Sequence, residues 1–157
     1  MLEWVKQLAI YAVLIGVVYA GAVYIPKMLS KVAVGEQYSE IDGIDMTSDF
    51  PLDPTVRVGQ LKPGDGIAWN LPEQSGSEVG LGWFAGGPGD LVEIDHVGAL
   101  LVNGTKLEKP GLIPAPACKL VIPEHHFFAV THQHQLDSIK LGPLHVDTLR
   151  GRVKGLP

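Results

Sequence analysis

The sequence lacks paired cysteines, because Cys118 is the only cysteine among 157 residues. This excludes an internal disulfide and a cysteine-rich metal site. Basic residues are also few, with 12 Lys and Arg against 17 Asp and Glu and a formal net charge of −5. Binding a phosphate backbone requires clustered Lys and Arg, so this charge balance argues against nucleic acid as the main partner. No long polar linker or repeat divides the chain, which predicts one domain.

One long segment near the N-terminus has no charge. No charged side chain occurs between Lys6 and Lys27, and residues 8–25 are almost wholly apolar. As an α-helix rising about 1.5 Å per residue, this interval would span roughly 30 Å, one hydrocarbon core. We therefore predict that residues 1–26 form a single-pass membrane anchor. The competing interpretation is a cleaved secretory signal, but the residues from Pro26 onward make a poor cleavage site.

The rest of the chain has the composition of a strand-and-turn protein, with 19 Gly and 12 Pro. Residues 27–44 are predicted to be a connector and 45–157 a compact, mostly antiparallel β domain. Five short apolar runs are predicted strands: 66–69, 91–94, 99–102, 119–122 and 126–131. Asn103-Gly104 predicts a tight hairpin turn between the run at 99–102 and residues 105–107, because both turn positions need a positive φ.

Several short motifs follow one another along this β region. They are LKPGDGIAW at 61–69, GPGDLVEI at 87–94, LVNG at 101–104, IPEHHFF at 122–128, DS and LGPL between 137 and 144, and GRV at 151–153. Each is a weak signal by itself. In this order, behind one apolar N-terminal segment, they resemble the Ser-Lys signal peptidase family (signal peptidase I) over roughly residues 45–155. The compact size most resembles the conjugative-plasmid branch, which matures pilin or related subunits.

The resemblance implies a fold, a location and partners. The fold is a compact antiparallel β domain behind one transmembrane helix, in the inner membrane and on its periplasmic side. The activity is that of a serine endopeptidase without a cofactor. The partners are an extended peptide or pilin-like precursor, the membrane, and a secretion or conjugation complex.

The two catalytic positions of that family depart from its pattern here. In the family a serine attacks the scissile carbonyl, and a lysine kept neutral in an apolar pocket takes its proton. The lysine lies eight residues before the Asp of the PGD motif, and that position is Gly82. The nucleophile aligns with Asp49 or with Pro51, depending on the register, while Ser48 remains a candidate one residue earlier.

The resemblance also assigns further roles. The expected substrate-binding residues are Asp49, Phe50, Pro51, Gly82 and Trp83. The expected structural residues are Gly89, Asp90, Asp137 and Ser138. Two functions therefore stay open: an atypical peptidase that processes a secreted or pilin-type precursor, and a catalytically inactive factor that binds such a peptide or helps to assemble a membrane complex.

Histidines raise a third alternative. His125, His126, His132 and His134 are followed by Asp137, and such a set could hold zinc and activate water in a metal-dependent hydrolase. The spacing matches no zinc-binding motif, and no cysteine accompanies it. We therefore expect a polar loop and no resident metal.

Overall fold

The computed structural model describes residues 11–19, 31–33, 49–71, 79–109, 111–131 and 137–156. The chain divides into two compact units, Met1–Ser30 and Lys31–Pro157. The first unit contains helix α1, residues 11–19, whose side chains are exposed. Among the residues described, no helix has both the length and the apolar character needed to cross a membrane. Much of the predicted span at 8–25 lies outside those residues.

The second unit is built from short strands. Those described are β1 (Lys31–Ala33), β2 (Asp49–Asp53), β3 (Gly66–Asn70), β4 (Val79–Gly86), β5 (Leu91–Ile94), β6 (Leu100–Val102), β7 (Thr105–Lys106), β8 (Cys118–Val121), β9 (His126–Val130), β10 (Leu144–His145) and β11 (Leu149–Val153). A one-turn helix, α2 (Ser138–Leu141), precedes β10. Strand β1 falls within the predicted connector, so this compact unit begins before residue 45.

The strands form two antiparallel sheets. The larger has the order β1-β2-β11-β3-β4-β9-β10, and the smaller has the order β7-β6-β5-β8. All the pairings between these strands are antiparallel. The predicted class, a mostly antiparallel β domain, is therefore confirmed. All five predicted strands are present, and each end lies within one residue of the prediction.

Strand β4 contributes side chains to two separate hydrophobic clusters, because successive side chains of a strand point to opposite faces of the sheet. Trp83 packs with residues of β5, β6 and β9, whereas Phe84 packs with Ile67 and Phe127. The sequence did not predict this strand, since glycine is depleted in strands and β4 contains three. Gly80 is needed there because a Cβ atom at that position would overlap the indole of Trp69.

The hairpin between β6 and β7 has the predicted turn. Asn103 has φ 50° and Gly104 has φ 79°, so both central residues are left-handed as a type I′ turn requires. Val102 pairs with Thr105 across this turn. The smaller sheet thus has its register fixed locally.

Candidate functional site

The position that the resemblance assigns to the base is enclosed by backbone. Gly82 pairs with Ile67 on one side of β4, and β9 runs along the other side. A Cβ atom at residue 82 would overlap the carbonyl oxygen of Val130 and lie 3.1 Å from Thr131 Cγ2. A neighbouring backbone atom cannot move aside as a flexible side chain can. With β4 and β9 paired in this way, a lysine side chain does not fit at residue 82.

The lysines elsewhere do not offer a substitute among the residues described. Each lysine whose side chain the structure describes is exposed to solvent. These residues are Lys62, Lys106, Lys109, Lys119, Lys140 and Lys154. A lysine acts as a base near neutral pH only when burial or a nearby charge disfavours its ammonium form. Burial supplies that condition to none of these six.

The segment aligned with the nucleophile opens β2. Asp49, Phe50 and Pro51 pair in order with Ala33, Val32 and Lys31 of β1, so the chain covers one edge of β2 itself. Phe50 is half-buried and Pro51 is exposed. Ser48 lies outside the described residues.

Strand order separates this segment from β4. Strands β11 and β3 lie between β2 and β4. Neighbouring strands are about 4.8 Å apart, so three spacings put the two strands on the order of 14 Å apart along the sheet. The two positions aligned with catalytic residues are thus not adjacent in the sheet. Trp83, expected to contact substrate, is 2% exposed and faces the core.

The PGD and VNG motifs meet in one hydrogen-bond network. The Asp90 carboxylate accepts from the amide of Gly87 and from Asn103 Nδ2, both at 2.8 Å. Asn103 Oδ1 accepts in turn from the amide of Leu91 at 2.9 Å. Gly89, with φ 83°, provides the left-handed turn before Asp90. These motif residues therefore fix the turn that joins the two sheets.

The Asp137-Ser138 pair anchors the end of β9. Asp137 is 0% exposed, and its carboxylate accepts from the amide of Thr131 at 2.8 Å, the hydroxyl of Thr131 at 3.2 Å and the amide of Ile139 at 2.9 Å. Ser138 Oγ accepts from the amide of Ala129 at 3.0 Å. Both side chains thus accept hydrogen bonds from buried backbone amides, which need an acceptor away from water. Ser138 thus contacts β9, the strand that runs along Gly82.

The histidines form a different set from the predicted one. His126 and His145 are cross-strand neighbours in β9 and β10, and His125 lies beside them. His132 and His134 fall outside the described residues. No group of three or more His, Cys, Asp or Glu within the described ranges is placed to hold a metal ion. The sequence reasoning missed His145, whose only local signal was a polar residue after the Gly142-Pro143 turn.

Strand β8 offers an open edge. It pairs with β5 alone in the described part of the chain, and all four of its residues are exposed. Leu120 is 37% exposed and Val121 is 58% exposed. The Lys119 ammonium lies 3.1 Å from the Glu93 carboxylate. The edge therefore combines apolar side chains with a charge that is already paired.

Comparison with solved structures finds a likeness to a signal peptidase I. A solved structure of a signal peptidase I from Enterococcus faecalis V583 is similar, with a TM-score of 0.46 and 18% sequence identity. The match covers 59% of this chain and 95% of that one. No family model matches the chain. No curated protein matches it either.

Proposed function

We propose that this chain is a signal-peptidase-like, membrane-anchored protein that binds an extended segment of a secreted or pilin-type precursor without cleaving it by its own Ser-Lys chemistry. The ordered motifs support the family. The enclosed position of Gly82 carries the proposal for binding without cleavage, because no lysine side chain fits there.

The chemical consequence of losing the base is large. A serine hydroxyl is a weak nucleophile until a base removes its proton. Loss of such a base costs several powers of ten in rate, since only binding and oxyanion stabilisation remain. The exposure of the six described lysines supports the same conclusion.

Peptide binding requires none of these groups. An extended peptide can add to an open sheet edge through backbone hydrogen bonds, with specificity from alternate side chains. The amide of Ile122 donates to the carbonyl of Asp90 at 2.9 Å, so the backbone N–H of residue 122 points towards the β5 side of the strand. The backbone N–H and C=O groups of successive residues point to alternate sides of a strand. Those of Leu120 therefore also point towards β5, whereas those of Lys119 and Val121 point outward. These two residues are the ones to which an added strand would bond.

The side chains of β8 suit this kind of partner. Leu120 and Val121 supply apolar contacts on opposite faces of the edge. The charge of Lys119 is balanced by Glu93, so an added strand would not bury a lone ammonium. An extended, mostly apolar segment of a precursor fits these features.

The experiment is an incubation of the full-length chain in detergent with a candidate pilin or secreted precursor. We expect no processed product, and we expect the precursor to co-purify with wild type and with Ser48→Ala. Val121→Pro should abolish co-purification, because proline removes an outward N–H yet is tolerated on an edge strand. Val121→Thr keeps the N–H and is the matched control.

Two outcomes would contradict the proposal. Processing by wild type and not by Ser48→Ala would establish a serine peptidase whose base comes from outside the described residues or from a partner subunit. Equal co-purification by Val121→Pro and Val121→Thr would reject β8 as the binding edge.

A further inference from the structure

The register of the edge strand β8 determines which side chains a bound segment would meet. We propose that the segment captured at this edge adds antiparallel to β8 and carries two apolar residues followed by an acidic one. The two apolar residues would lie opposite Val121 and Leu120, and the acidic residue opposite Lys119. This inference rests on the proposed function, because it names the class of segment that the same edge takes.

The pairing of β8 with β5 assigns each residue of β8 to a face of the smaller sheet. Leu120 pairs with Val92, and directly paired residues of an antiparallel ladder place their side chains on the same face. Val92 is 2% exposed and belongs to a hydrophobic cluster, so Leu120 lies on the core face. Successive side chains alternate between the faces of a strand. Lys119, which pairs with Glu93, and Val121 therefore share the solvent face.

One row of side chains crosses the solvent face at Lys119. Paired residues from β7 to β8 form it in the order Lys106, Leu101, Glu93 and Lys119. The Lys119 ammonium lies 3.1 Å from the Glu93 carboxylate, yet the Lys119 side chain stays 61% exposed. A strand added to β8 would extend this row by one side chain, with its Cβ atom about 4.5–5.5 Å from that of Lys119. Because an ammonium has three donors, Lys119 can bond a second carboxylate without leaving Glu93.

The distances along this row decide which charge is preferred opposite Lys119. Opposite charges directly across a ladder stabilise it, whereas like charges destabilise it. Glu93 would be two strand spacings from the added side chain, on the order of 10 Å, and its charge is already offset by Lys119. Asp95 follows the end of β5, beyond the last pair of β5 with β8. Attraction by the nearer Lys119 therefore outweighs repulsion from these two acids, so an acidic side chain is preferred to a basic one.

The other two positions of the edge present apolar side chains. The backbone N–H and C=O of Leu120 point towards β5, so a residue opposite Leu120 in the added strand would form a non-hydrogen-bonded pair. Such pairs have the closest side chains, with Cα atoms about 4.5 Å apart. Val121 is 58% exposed and lies beside Leu91 on the solvent face. Apolar residues opposite Leu120 and Val121 would therefore remove both side chains from water.

The direction of the added strand sets the order of the three residues. All the pairings between the described strands are antiparallel. Antiparallel pairing is also slightly more stable per residue than parallel pairing. A segment that runs antiparallel to β8 meets Val121 first, then Leu120, then Lys119. Its sequence therefore reads apolar, apolar, acidic from the N-terminal side.

The test measures peptide affinity by fluorescence anisotropy with the full-length chain in detergent. Three labelled octapeptides carry, between threonines, the tripeptide Val-Ile-Glu, the tripeptide Val-Ile-Lys or the reversed tripeptide Glu-Ile-Val. We expect wild type to bind the Val-Ile-Glu peptide about fivefold or more tightly than the Val-Ile-Lys peptide. Added NaCl should narrow this difference, because salt screens exposed charges. The reversed peptide should bind more weakly than the Val-Ile-Glu peptide.

The matched variant exchanges the two charges of the ion pair by combining Glu93→Lys with Lys119→Glu. It keeps an ion pair between β5 and β8, its Tm checks that it folds, and it should prefer the Val-Ile-Lys peptide. Equal affinities of wild type for the Glu and Lys peptides would overturn the inference, as would a preference that the exchange leaves unchanged or tighter binding of the reversed peptide. Loss of all binding in Val121→Pro would still uphold capture at β8 in those cases. Binding that persists in Val121→Pro, or no binding by wild type, would contradict the proposed function and the inference with it.

Discussion

At the scale of single residues, Gly82 shows how a close backbone approach constrains a position. Replacing it with alanine puts a methyl group against the Val130 carbonyl. Overpacking of this kind costs about 1–3 kcal/mol. We therefore expect Gly82→Ala to lower the free energy of unfolding by at least about 1 kcal/mol, as measured by denaturant titration.

The matched control is Gly59→Ala. A Cβ atom at residue 59 would have nothing within 4 Å, and its φ is not left-handed. Its effect on the free energy of unfolding should stay within about 0.5 kcal/mol. Equal stabilities of the two variants would show that β9 can move away from residue 82, and a lysine could then be accommodated there.

Counting along the sequence located residue 82 but could not show that it is enclosed. The atoms that enclose it belong to Val130 and Thr131, far along the chain, and only the β4–β9 pairing brings them close. His145 was missed for the same reason. Its partner, His126, is defined by the register of β10 against β9.

At the scale of elements, the turn between β5 and β6 depends on one carboxylate. Asp95 Oδ1 accepts from the amide of Ala99 at 2.8 Å and from that of Val97 at 2.9 Å. The hydrogen bond from Ala99 is the main reason that the pKa of Asp95 lies below its ordinary value of 3.8. The charged form is therefore favoured in the folded state.

The direction of the pH effect follows from this shift. A folded-state pKa below the unfolded value gives stability that is present above the unfolded pKa and lost as the pH falls through the folded one. Asp95→Asn should therefore lower Tm at pH 7, and the difference from wild type should narrow below about pH 4. Thermal unfolding of both proteins between pH 7 and pH 2.5 measures this difference. A constant difference across the range would contradict the role of the charge.

Sequence patterns predicted strands where the local signal was strong. β5 and β6 have alternating or continuous apolar residues, and the Asn103-Gly104 turn between β6 and β7 has a clear chemical signature. β4 was missed because its glycines oppose strand propensity, and tertiary contacts decide such cases. β10 is too short for any periodicity to show.

At the scale of the whole molecule, we predict that the N-terminal segment anchors the protein in a membrane. The charge-free interval between Lys6 and Lys27 leads us to expect that the full-length protein stays in the membrane pellet after carbonate extraction. Recovery in the supernatant with a new N-terminus after residue 26 would instead identify a cleaved signal. N-terminal sequencing of both fractions distinguishes the two results.

The sheet order could not be obtained from local patterns. Class and hairpins follow from nearby residues, but the placement of β11 between β2 and β3 depends on contacts between distant parts of the chain. Those contacts leave no short motif of their own in the sequence.

The central place of β11 has a consequence for biosynthesis. A ribosome releases β2 and β3 long before residues 149–153, yet these strands meet only through β11. Until then, one edge of each strand has no partner, and such edges favour association with other chains. The larger sheet can be completed only after translation has passed residue 153, the last residue of β11. A nascent chain stalled before that point would display the open edges of two strands to holdase chaperones.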